Sequence, residues 1–106
     1  MTNKKILGLI GLAAKAGKIA FGSDSVEMQA QKGKISLLVV AKNASERTKD
    51  KFMKISKKYN IPIVVHGEID ELSKAIGKSN KAILGIVDIN LSKEIQKIND
   101  GGDVIG

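Results

Sequence analysis

The chain has 106 residues, 42% of them hydrophobic and 27% charged, with a formal net charge of +7. That length and balance predict one globular domain, 1–106, with a single modest core and no extended disorder. The lack of any Cys excludes disulfide frameworks, thiol nucleophiles and cysteine metal sites, and the lone histidine, His66, excludes a histidine-rich zinc centre.

The charge is uneven. Residues 1–60 carry 13 Lys/Arg against 4 Asp/Glu, whereas 61–106 carry 5 against 7. A basic first half points to a one-sided positive field, as a nucleic-acid binder needs, or to a solvated lysine-rich surface. The aromatics are only Phe21, Phe52 and Tyr59, so the core must be aliphatic and an aromatic base-stacking platform is not expected. No apolar run reaches the roughly 18 residues of a membrane span. The stretch Met1 to Gly17 reads as a helix rather than a signal peptide, and a cytoplasmic protein without a membrane partner is expected.

In chain order, Ile6, Leu9, Ile10 and Ala13 fall at helical spacing and predict a first helix over Lys4 to Lys15, ended by Gly17. Gly8 and Gly11 within it suggest a close approach to a sheet. Ile19 to Phe21 is a short strand. Gly22-Ser23-Asp24-Ser25 opens a second helix, with Ser23 or Asp24 as cap and Asp24-x-x-Glu27 as a capping box. Gly33 stops that helix between Lys32 and Lys34. Ile35 to Ala41, with its Leu-Leu-Val-Val run, predicts a strand buried on both faces.

Ser45 starts a third helix to about Lys58, with Phe52, Ile55 and Tyr59 inward and Arg47, Lys51, Lys54 and Lys58 on a solvated basic face. Pro62 introduces a strand over Ile61 to Val65. Glu68, Asp70 and Glu71 then complement the dipole of a fourth helix, whose Ile69, Leu72 and Ile76 point inward and which Gly77 closes. The loop Gly77 to Lys81 leads to a strand over Ala82 to Val87. Leu91, Ile95 and Ile98 define a last helix, and 100–106 form a frayed, Gly-rich tail. Strands alternating with helices predict a three-layer α/β/α sandwich with about four strands, in a mixed sheet, and about five helices.

No enzyme constellation emerges. His66 beside Glu68 has no nucleophile motif with it, so a structural or solvent-exposed histidine is the better reading. Phosphate-loop and dinucleotide fingerprints are missing, and no cofactor or metal is expected. The site candidate is the Gly22–Ser25 turn. Free N–H groups and small polar side chains at a helix N-terminus suit a nucleic-acid backbone or base edge. Lys15, Lys18 and Lys32 flank it in sequence, and Lys78, Ser79, Lys81 and Ala82 belong to a second basic segment.

The layout of Ile19 to Ala44, with strand, Gly-Ser-Asp-Ser turn, helix, Gly stop and buried strand, resembles the kink-turn RNA-binding ribosomal protein superfamily, most of all its small bacterial YlxQ branch. The resemblance implies docking on a kinked RNA through this turn, where the family carries Gly-x-Asn-Glu/Gln-x-x-Lys. Gly22 agrees with that motif, whereas Asp24, Ser25 and Met28 replace its amide, its acid or amide, and its lysine. It also implies that the Gly77 to Ala82 loop lies beside the turn. There it would pack against a flipped-out base, with Ala82 in its apolar floor. The expected partner is structured RNA, ribosomal RNA above all, with ribosomal or translation-related proteins next, and a monomer is expected. The changes at Asp24, Ser25 and Met28 leave a second reading, a protein-interaction module on the same fold.

Overall fold

The computed structural model describes residues 3–101. Nine elements alternate along them: α1 (Lys4–Lys15), β1 (Ile19–Phe21), α2 (Ser23–Gln31), β2 (Leu37–Val40), α3 (Glu46–Tyr59), β3 (Ile63–Val65), α4 (Ile69–Ala75), β4 (Ile83–Ile86) and α5 (Ile89–Asn99). The expected frayed tail beyond Gly101 lies outside the described residues.

The four strands form one sheet in the order β1-β4-β2-β3. β4 runs antiparallel to both β1 and β2, while β2 and β3 are parallel and joined through α3. The two central strands are buried at every position, as the unbroken apolar run of β2 requires. Helices α2 and α3 pack on each other and on β4 and β2. Helix α1 packs on α4 and α5, and α5 packs on β4, which gives the other outer layer. The three-layer sandwich expected from the alternation is therefore the fold.

The core is aliphatic with one large aromatic: Phe52 is fully buried with Leu37, Leu38, Leu72, Leu84 and Ile86. Gly85 makes that packing possible. A Cβ there would sit 2.6 Å from Ile35 Cδ1, so the absent side chain lets Ile35 lie flat on the sheet.

Two local expectations are corrected. Gly11 does bring its helix close to a neighbour, but the neighbour is α4: a Cβ would lie 3.4 Å from the Ala75 carbonyl oxygen. Gly8 has open space around it and serves no close approach. Neither Ser23 nor Asp24 caps α2. Gly22 occupies the N-cap with φ 86° and ψ 148°, no side chain accepts the first-turn N–H groups, and Glu27 pairs instead with Lys51 at 3.1 Å. The reciprocal bond of a capping box occurs at α4, where the Glu68 N–H donates to Glu71 Oε1 at 3.0 Å. That bond and the helix dipole account for the acidic cluster.

His66 follows β3 as a structural residue. It is buried, its own N–H donates to the Val40 carbonyl at 3.0 Å, and its Nε2 accepts the Asn3 N–H at 3.3 Å, tying the start of α1 to the sheet. Burial, which disfavours the charged ring, is the main cause that lowers its pKa below the usual 6.5. The positive charge of Lys42 adds to that shift.

Candidate nucleic-acid interface

The sheet order builds the candidate site. β1 and β4 are antiparallel neighbours with Phe21 opposite Leu84, so the end of β1 meets the start of β4. The Gly22 N–H donates to the Ile83 carbonyl at 3.3 Å and closes this corner. The turn at 22–25 and the loop at 77–82, far apart in sequence, therefore lie side by side. Gly22, Ser23, Asn80, Lys81, Ala82 and Ile83, with Thr48 of α3, line a recess of about 300 Å³ between them.

A glycine N-cap leaves the recess electropositive. The first bond of α2 runs from the Val26 N–H to the Gly22 carbonyl at 3.0 Å. The N–H groups of Ser23, Asp24 and Ser25 precede it and have no partner among the described residues. They point out of the positive end of a nine-residue helix. Gly22 is required because φ 86° with ψ 148° is a conformation essentially confined to glycine.

Lysines frame the recess. Lys78 Nζ lies 5.2 Å and Lys81 Nζ 5.5 Å from the centroid of the Phe21 ring, so one half-buried aromatic gathers both charges of the loop. The loop is held in shape by Ser73 of α4. Its buried hydroxyl accepts the Lys81 N–H at 2.7 Å and donates to the Lys81 carbonyl at 3.3 Å. Asn80 completes the bend in a left-handed conformation, φ 54°.

The structure divides the residues expected at the site. Gly22, Ser23, Lys81 and Ala82 line the recess, whereas Asp24, Ser25, Lys78 and Ser79 adjoin its lining residues along the chain without being part of it. Lys15 lies beside Ile76 and Gly77 at the foot of the loop. Lys18 stands at the other end of β1, where its carbonyl accepts the Val87 N–H at 2.9 Å. Lys32 follows the C-terminus of α2, about 13 Å of helix from Gly22.

One expectation about α3 is corrected. Arg47, Lys54 and Lys58 are exposed as expected, but Lys51 is not a plain solvated side chain. Its Nζ donates to Ser23 Oγ at 3.4 Å and pairs with Glu27 Oε1 at 3.1 Å. Helical spacing had grouped Lys51 with the stripe, and only the packing of α3 on α2 separates it. Phe21, Thr48 and Ser73 carry no sequence signal for this role, since each reads as an ordinary strand or helix residue.

A mixed four-stranded sandwich that sets an uncapped helix N-terminus beside a lysine-bearing loop is the frame of a small ribosomal-type domain. The chain belongs to the ribosomal protein L7Ae/L30e/S12e/Gadd45 family, which it matches over residues 4–96.

The RNA-binding protein YlxQ of Enterococcus faecium is 34% identical over 98 residues, covering 92% of this chain and 94% of that protein. The large ribosomal subunit protein eL30 of Sulfurisphaera tokodaii is 27% identical over 89 residues, covering 82% and 84%. Among solved structures, a protein of unknown function from Bacillus halodurans superposes with a TM-score of 0.88 at 32% identity, over 92% of this chain and 99% of that one. A 15.5kD RNA binding protein from Giardia lamblia shares the fold, with a TM-score of 0.78 at 20% identity over 95% and 92% of the two chains. The matched relatives are ribosomal and RNA-binding proteins, a non-enzymatic class, as the absence of a catalytic motif in the sequence suggested. Among the described residues no helix is long and apolar enough to cross a membrane.

Proposed function

We propose that this protein binds structured RNA of the kink-turn kind, without catalysis, as a monomer in the cytoplasm and in association with the ribosome. The observation that supports the reading is that the start of α2, with three unpaired N–H groups, shares one recess with Lys81, whose neighbour over the Phe21 ring is Lys78. The E. faecium relative's name, an RNA-binding protein, supports it.

The roles follow from the chemistry. Gly22, lacking a side chain, lets an RNA strand approach the backbone. Ser23, Asp24 and Ser25 face base edges. Ionised Asp24 accepts from guanine N–H groups but cannot donate as an amide would. Lys78 and Lys81 neutralise phosphates, with Lys15 at the edge of the same surface and Lys18 and Lys32 on outlying strands of the RNA. Ser79 contacts the backbone, and Ala82 forms the apolar floor on which an unstacked base would rest.

The test is binding to a kink-turn RNA against a plain duplex of equal length at about 0.15 M salt, where the Debye length is ~8 Å. The expected result is a preference of about tenfold or more, roughly 1.4 kcal/mol. Equal, weak and salt-erased binding to both would sink the reading. It would favour a protein-interaction module instead, which the replacements at Asp24, Ser25 and Met28 suggest.

A further inference from the structure

The groove between α2 and α3 has no part in the roles given above. It is lined by Glu27, Lys51, Lys54, Ile55, Lys58 and Tyr59 and holds about 330 Å³. From the structure we infer that this groove carries the RNA backbone onward from the recess, as a track for the phosphates of a helical stem. The inference rests on the RNA-binding reading.

Continuity is the main argument. Lys51 belongs to both surfaces: it lines the groove and donates to Ser23 Oγ at the recess. From Lys51 the cations proceed to Lys54 and Lys58, one helical turn at a time, about 10 Å in all. Neither Lys54 nor Lys58 has an anionic partner within ion-pair distance among the described residues, although Asp50 stands one turn before Lys54. Lys58 Nζ is steadied over the Tyr59 ring at 5.4 Å. A solvated cation row beside a docked polyanion would release counterions when the strand passes over it.

The shape argues against an acidic peptide as occupant. Peptide grooves take anchors into desolvated pockets. Here Ile55 is only 6% exposed and sealed into the core, Tyr59 is half-buried beneath Lys58, and the rest of the lining is three lysines and Glu27. The one acid inside, Glu27, is held by Lys51. It costs the track affinity and keeps Lys51 extended towards Ser23.

The experiment compares three kink-turn RNAs across a salt series, one with minimal stems and two in which one stem or the other is lengthened by a helical turn. Full-length wild type should bind one lengthened RNA more tightly and with a steeper salt dependence. In K54Q/K58Q that gain should vanish, the slope of log affinity against log salt should flatten by about 1.5, and affinity at 0.1 M salt should fall about tenfold. Binding of the minimal RNA should not change, and K54R/K58R should restore the gain. E27Q should bind the lengthened RNA about threefold more tightly.

A lengthening gain that survives K54Q/K58Q overturns the track, as does no gain for either stem. So does a polyglutamate peptide that binds wild type but not K54Q/K58Q while RNA binding is indifferent to the change. In all three cases a retained preference of wild type for the minimal kink-turn RNA over duplex would leave the recess reading standing. Loss of that preference would remove both.

Discussion

The Gly22 amide donates to the Ile83 carbonyl at 3.3 Å, and around this bond the recess is assembled. On one side it ends the pairing of β1 with β4. On the other it fixes where α2 leaves the sheet, so that Ser23 and Lys81 line one recess. The geometry makes the site's chemistry depend on a glycine with no side chain of its own to offer.

Replacing that glycine tests the point. Gly22→Ala forces a Cβ into φ 86°, although nothing lies within 4 Å of where it would sit. The expected cost is therefore strain rather than collision, about 1–3 kcal/mol in urea unfolding with an unchanged m-value. Affinity for a kink-turn RNA should fall at temperatures where the variant is still folded. An Ala variant as stable as wild type would show that the turn relaxes without strain.

Lys78 is exposed and Lys81 half-buried, both over the Phe21 ring, so their removal should be felt by RNA more than by the fold. K78Q/K81Q is expected to change unfolding free energy by about 1–2 kcal/mol at most. Its salt slope for RNA binding should flatten by roughly 0.7–0.9 for each lysine that meets a phosphate. Titrations at several salt concentrations give the slope directly, and an unaltered slope would remove both lysines from the interface.

Ser73 is a buried hydroxyl that serves two groups of one residue, the N–H and the carbonyl of Lys81. Ser73→Ala leaves a half-buried N–H unpaired at a cost of about 1–3 kcal/mol. Hydrogen exchange at Lys81 should quicken by more than the loss of global stability explains, and RNA affinity should fall although no contact residue has changed. Equal protection in the two proteins would mean that the loop is held by other means.

His66 makes stability depend on acidity. Its folded pKa is lowered, mainly by burial, so the unfolded chain binds the proton more readily. Its contribution is complete above the unfolded value, near pH 6.5, and declines as pH falls through that value towards the folded one. Protonation would also turn Nε2 from acceptor to donor and break its bond with the Asn3 N–H. Thermal unfolding at pH 7.5, 6.5 and 5.5 should show a steeper decline for wild type than for His66→Gln. Parallel declines would assign the acid sensitivity to carboxylates.

Much of this protein is written locally. Helical spacing of Ile6, Ile10 and Ala13, the ungapped Leu37–Val40 run, and the Ser45, Gly33 and Gly77 punctuation are local signals of this kind, and such signals gave the order of the nine elements and the bounds of most of them to within about two residues. Those signals depend on neighbours within a turn or a strand, where period and burial are coupled directly. The Gly22–Ser25 turn was legible for the same reason: small polar residues between a strand and a helix have few other uses.

Tertiary packing decided the rest. Only the placement of β4 between β1 and β2 brings Lys81 to Gly22, and only the crossing of α3 over α2 takes Lys51 out of the solvated stripe to Ser23. The same chain geometry sends Lys32 to the far end of α2 and Lys18 to the far end of β1, though both are near the turn in sequence. A sequence orders residues along a line, whereas electrostatic and hydrogen-bonding energies fall with distance in space. Which lysines share a field with the α2 N-terminus was therefore settled by strand order and helix packing.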